Sequence, residues 1–186
     1  MIPRSVAVKF TYEDLLLFPE DGKRHELIDG EHFMSPSPFT QHQRILVNLS
    51  RIVSTFLKQN KIGALFVAPM DVVLSDFDVV EPDLLFIASE HASIITEKHI
   101  MGAPDWVVEI LSVSSRKTDE MIKKKLYEQY GIQEYWIIDP ELQMVKIYRM
   151  TDTKYIRTAE ISCEGNELLT TPLLPGMEIQ LTEIFE

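Results

Sequence analysis

Hydrophobic positions recur along this chain with two different periods, and each period predicts an element. From Thr40 to Lys58 no proline or glycine intervenes, and Ile45, Leu49, Ile52 and Phe56 follow one another at spacings of three and four. That stripe predicts a long amphipathic helix. Lys117 to Tyr130 predicts a second, with Ile122, Leu126 and Tyr130 on one side and Gly131 suited to its C-terminal cap. Thr11 with Asp14 reads as a variant capping box opening a short helix, which Pro19 and Asp21-Gly22 would stop. Strands are predicted at Leu65 to Leu74 and Val79 to Ile87, joined by the polar turn Ser75 to Asp78, and at Trp106 to Leu111. Glu134 to Asp139, stopped by Pro140, Met144 to Arg149 and Ile156 to Ile161 continue the β pattern. Asp29-Gly30 marks a tight hairpin turn, and the tail from Pro172 reads as a loop and a docking segment.

The 186 residues, 45% hydrophobic and 25% charged, carry no repeat, low-complexity tract or linker, so one domain over residues 1–186 is expected. The lone Cys163 excludes an internal disulfide, and no Cys/His cluster has zinc spacing. No apolar run resembles a signal peptide or reaches the ~20 residues of a membrane helix, so a cytoplasmic protein without a membrane partner is expected. A formal charge of −11 opposes phosphate binding unless a local basic patch supplies it. Arg116, Lys117, Lys123, Lys124 and Lys125 form such a cluster, and a solvated helix face is the plainer alternative.

Two carboxylates fall where they are costly: Asp83, opening the apolar run LLFI after Glu81-Pro82, and Glu109, inside VVEIL. A charge in a buried strand must be paired, protonated or bound to a metal. The two-residue period points Asp105, Val107, Glu109 and Leu111 one way and Trp106, Val108 and Ile110 the other. If the two strands are neighbours, Asp83 and Glu109 converge. Two carboxylates with a backbone carbonyl and waters suit Mg²⁺ or Mn²⁺, and a purely structural ion pair is the alternative. Asp119, Lys123 and Tyr127, spaced by four, share a helix face, so Lys123 can lay its ammonium over the two acids; an ordinary surface pair with Asp119 is the alternative.

Five segments in order, HELIDGE around Glu26 to Glu31, SPSPFTQHQRI from Ser35 to Ile45, VEPDLLFI around Glu81, APDWVVEILSVSS from Ala103 to Ser115, and D-x3-K-x3-Y running from Asp119 into YGIQEYWIIDP, resemble the Uma-two family of putative restriction endonucleases, a former domain of unknown function. The resemblance covers roughly residues 10–150. It implies the PD-(D/E)xK nuclease fold, an α/β restriction endonuclease-like core of mixed sheet flanked by helices, here with an N-terminal helix and hairpin. It makes Asp83 and Glu109 the two half-motif acids and metal ligands, with Ile110 adding its carbonyl. Leu111 stands where the usual lysine would be, and Lys123 on the following helix is its replacement. Glu26, Glu31 and His42 match recurrent family positions near the site, with Glu26 and His42 the further catalytic candidates. Val113 replaces a proline frequent in the family. The implied activity is Mg²⁺- or Mn²⁺-dependent hydrolysis of DNA by a homodimer; the alternative is a nuclease-like protein that binds nucleic acid or a partner without cutting.

Overall fold

The computed structural model describes residues 8–165 and 167–186. Its elements follow the two hydrophobic periods closely. The short helix α1 (Tyr12–Leu15) opens on a reciprocal capping box between Thr11 and Asp14. Strands β1 (Arg24–Ile28) and β2 (Glu31–Ser35) form a hairpin whose turn residues, Asp29 and Gly30, adopt φ of 51° and 72°. The long helix α2 (Thr40–Gln59) buries Ile45, Leu46, Leu49 and Val53.

The segments expected as single strands at 65–74 and 79–87 are each divided between two sheets. The first becomes β3 (Gly63–Val67) and β4 (Val72–Ser75), the second β5 (Asp78–Val80) and β6 (Leu84–Ala88). Pro69 and Pro82 lack the N–H a ladder needs, so each strand stops beside its proline and the chain changes sheet. The remaining strands are β7 (Ile100–Met101), β8 (Trp106–Ile110), β9 (Glu134–Asp139), β10 (Met144–Met150), β11 (Tyr155–Ser162), β12 (Leu168–Leu169) and β13 (Ile179–Gln180). Helix α3 (Lys124–Gln129) follows a π-helical segment, Thr118–Lys123, and α4 (Leu181–Phe185) ends the chain.

Six strands form the main sheet in the order β11-β10-β9-β8-β6-β3, with only β8 and β9 parallel. A second sheet runs β2-β1-β5-β4-β7. One face of the main sheet presents Leu84, Phe86, Trp106, Val108, Trp136 and Ile138 to α2 and α4. The other presents Leu85, Ile87, Val107, Tyr135 and Ile137 to α3 and to Ile28, Val72 and Val80 of the second sheet. Each large apolar side chain so removed from water contributes about 1.5–3 kcal/mol. Among the described residues no helix is long and apolar enough to cross a membrane.

Candidate active site

The change of sheet at Glu81-Pro82-Asp83 creates the site. Antiparallel β6 and β8 pair Leu84 with Val108 and Leu85 with Val107, and one step further along that register sets Asp83 opposite Glu109. Both acids therefore leave the sheet on the α3 side, at the seam with the β1–β2 hairpin. Asp83 is fully buried and satisfied on both oxygens: Arg24 donates to Oδ1 (2.6 Å), and the Ile110 amide donates to Oδ2 (2.8 Å), which also meets His42 Nε2 at 3.0 Å. His42 stands in the first turn of α2 with Nδ1 buried and without a hydrogen-bond partner among the described residues.

Glu109 has different company. Its Oε1 accepts from Lys123 Nζ (3.0 Å) and from the Tyr127 hydroxyl (2.7 Å). Lys123 Nζ also lies 2.7 Å from Glu26 Oε1 and 3.7 Å from Asp119 Oδ1, so its three N–H groups face three carboxylates. Glu26 Oε1 takes a further hydrogen bond from the Glu81 amide. The π-helical turn carries Asp119 and Lys123 inward together, and the single-turn π segment is a frequent companion of functional sites. At its start, Ser112 and Ser115 exchange amide-to-hydroxyl bonds that fix the loop from β8 into the helix.

Among the described residues, four buried carboxylates, Glu26, Asp83, Glu109 and Asp119, thus surround two permanent cations, Arg24 and Lys123. Burial, opposed by Lys123 and reinforced by Asp119, Asp83 and Glu26, pushes the Glu109 carboxyl up to about 8. Burial likewise raises Asp119 to about 6, against the pull of Lys123. Asp83 goes the other way: burial would raise it, but His42, Arg24 and the Ile110 amide hold it below the ordinary carboxylate range. Lys123 would be lowered by burial but is raised well above its usual value by Glu109, Glu26 and Asp119.

This donor set fits a hard divalent cation. Glu109 Oε2 takes no hydrogen bond from any described residue, and Glu109 lies in the wall of an open cleft with Asp83 and Ile110. An added 2+ charge would offset the excess of carboxylates. Among the described residues no three His, Cys, Asp or Glu side chains form a chelate by themselves, so carbonyl and water ligands would complete the shell, as Mg²⁺ favours.

Asp83, Glu109, Ile110, Glu26, His42 and Lys123 all line that one cleft. Two expectations need correcting. Lys123 does not lie over both Asp83 and Glu109: it is paired with Glu109 and Glu26, while Arg24 and His42 serve Asp83. The cluster at 116–125 is not a continuous phosphate patch either, because Arg116 is drawn to Asp139 and Glu141, Lys123 is buried, and Lys124 sits over the Tyr148 ring. Glu31 is exposed at the start of β2, outside the cleft lining. Arg24 escaped the sequence reading, although the two-residue period of β1 places it on the face of Glu26.

The sequence pattern of Uma2, described as putative restriction endonuclease, matches residues 11–182. The chain belongs to this family. Among solved structures, this Uma2 chain resembles the crystal structure of a putative nuclease belonging to DUF820 from Anabaena variabilis ATCC 29413, with a TM-score of 0.76, 23% identity, and coverage of 95% of this chain and 97% of that one. The mixed α/β architecture is accordingly restriction endonuclease-like. No curated protein matches the Uma2 chain.

Proposed function

We propose that this Uma2 protein, acting as a single domain, is a divalent-metal-dependent endonuclease that hydrolyses DNA phosphodiester bonds. The observation that carries the reading is Asp83 set opposite Glu109 at the seam of two sheets, in a cleft where buried carboxylates outnumber permanent cations. Asp83, Glu109 and the Ile110 carbonyl would hold Mg²⁺ or Mn²⁺, which when bound acidifies water and offsets charge on the phosphorus being attacked. Lys123, fastened to Glu26 and Glu109, directs Glu109 Oε2 toward the cleft and supports the attacking water or the developing charge. His42 holds the Asp83 carboxylate in place through Nε2. A homodimer in the cytoplasm belongs to the same proposal.

Incubating DNA with the protein and Mg²⁺ or Mn²⁺, beside Asp83→Ala and a chelated control, tests this. Metal-dependent cleavage lost in Asp83→Ala is the expected result. The saturation of both Asp83 oxygens by Arg24, His42 and the Ile110 amide favours one rival, a protein that binds without cutting. DNA retained intact while calorimetry shows bound Mn²⁺ would select that rival.

A further inference from the structure

Resting on the nuclease reading, we propose that Arg24 is the phosphate-binding residue of the cleft, gripping the substrate strand beside the two half-motif acids. A phosphodiester entering a site lined by Glu26, Asp83, Glu109 and Asp119 meets repulsion unless a donor is free to receive it. Lys123 is not free, since its three N–H groups already face Glu26, Glu109 and Asp119 and its side chain is 5% exposed. Among the described residues, Arg24 is the other permanent cation in the cleft wall. Only its Nη1 is engaged, on Asp83 Oδ1, and its other N–H groups reach no acceptor among the described residues.

Position supports the same role. Arg24 lines both the acid cleft and the neighbouring groove formed by Lys23, Gln43, Pro69 and Glu81, so it stands on the ridge a strand would cross to reach the acids. Its β-sheet partner is Ser35, a hydroxyl in the wall of the same cleft. The anchor on Asp83 holds the planar fork in a fixed direction, and a guanidinium so held can give two parallel hydrogen bonds to a phosphate. Lys23, the nearest other cation in the groove, is exposed and paired with Asp21.

The test compares wild type with Arg24→Gln and Arg24→Lys. Binding of a labelled DNA duplex is followed by anisotropy with Ca²⁺ in place of Mn²⁺, and Mn²⁺ binding without DNA is followed by calorimetry. Arg24→Gln is expected to weaken DNA binding by about tenfold or more, with Arg24→Lys recovering only part because an ammonium lacks the fork. Mn²⁺ affinity should stay the same or tighten, since a competing cation leaves Asp83. Unchanged DNA affinity in Arg24→Gln overturns the proposal, and so does a parallel fall in Mn²⁺ affinity, which would make Arg24 a positioning group for Asp83. Should the glutamine variant lose its cooperative melt, Arg24→Lys decides alone: it must bind DNA several-fold more weakly than wild type with metal affinity retained. A wild type that binds no DNA sinks the parent reading and this one together, whereas equal binding by wild type and variant sinks this one only.

Discussion

Lys123 is where a single side chain does most to make the site possible. Its ammonium is the common partner of Glu26, Glu109 and Asp119, all buried, so Lys123→Met leaves three acids facing a thioether. Removing one partner of a buried charge network costs about 3–5 kcal/mol, and chemical denaturation should show a loss of that order. Single-turnover cleavage should slow by about 10²–10³-fold, the range for one lost electrostatic contact in a water-poor site. Lys124→Met and Lys125→Met, at half-buried and exposed positions, should change both quantities far less; equal losses in all three would reduce Lys123 to one member of a general patch. Glu109→Gln has the opposite sign in stability. It removes a carboxyl that burial and three neighbouring acids push up to about 8, and leaves Lys123 with Glu26 and Asp119. Thermal melts in chelator should match or exceed wild type, while the shift produced by Mn²⁺ should disappear; a full Mn²⁺ shift in the variant would remove Glu109 from the ligand set.

Among the elements, the loop from β8 into the π-helical turn depends on a tether to the end of β9. Arg116 donates from Nη1 to Asp139 Oδ2 (2.6 Å) and from Nη2 to Asp139 Oδ1 (3.2 Å), and Oδ1 also receives the amides of Glu141 and Leu142. Burial alone would raise the Asp139 carboxyl, yet Arg116 and the two amides hold it below its ordinary value. A carboxyl depressed in the folded state stabilises above its unfolded pKa of about 3.9, and that contribution is lost as pH falls through the native value. Asp139→Asn should therefore melt below wild type at neutral pH, with the gap narrowing once wild-type Asp139 takes its proton in acid. A gap of constant size from neutral pH down into acid would show that the charge on Asp139 contributes nothing. The same variant should loosen the Ser112–Arg116 loop and, through it, the placement of Asp119 and Lys123.

For the molecule as a whole, the formal charge of −11 sets how the proposed DNA substrate would be approached. Arg116, Lys146, Arg149 and Arg157 all face carboxylates of their own, which removes them from the cations that could replace counterions along a duplex. With about two or three phosphate contacts, the slope of log K against log salt should be only about −2 to −3. Titrating a labelled duplex across salt concentrations measures that slope directly. A value several times steeper would require many more phosphate contacts than the cleft supplies, such as a basic track elsewhere on the surface or one assembled across a dimer.

Periodicity along the chain was sufficient for α2, the α3 side of the fold, and the division of β8 into two opposite faces, because each is a local consequence of which residues must leave water. It also marked Asp83 and Glu109, since a carboxylate within an apolar strand is visible without knowing its neighbours. Local pattern could not show that the segments 65–74 and 79–87 each cross between two sheets: an apolar run reads alike whichever sheet it joins, and only the pairing partners distinguish them. Nor could it assign counterions. Arg24, in β1 and 59 positions before Asp83, reaches that acid only because the hairpin packs against the seam, whereas Lys123 is carried by the π-helical turn to Glu26 and Glu109. The sequence by itself determined which residues had to be buried and which of those carried charge. Tertiary structure alone decided which opposite charge each would meet, because pairing depends on distance in space and falls off within a few ångströms, without regard to separation along the chain.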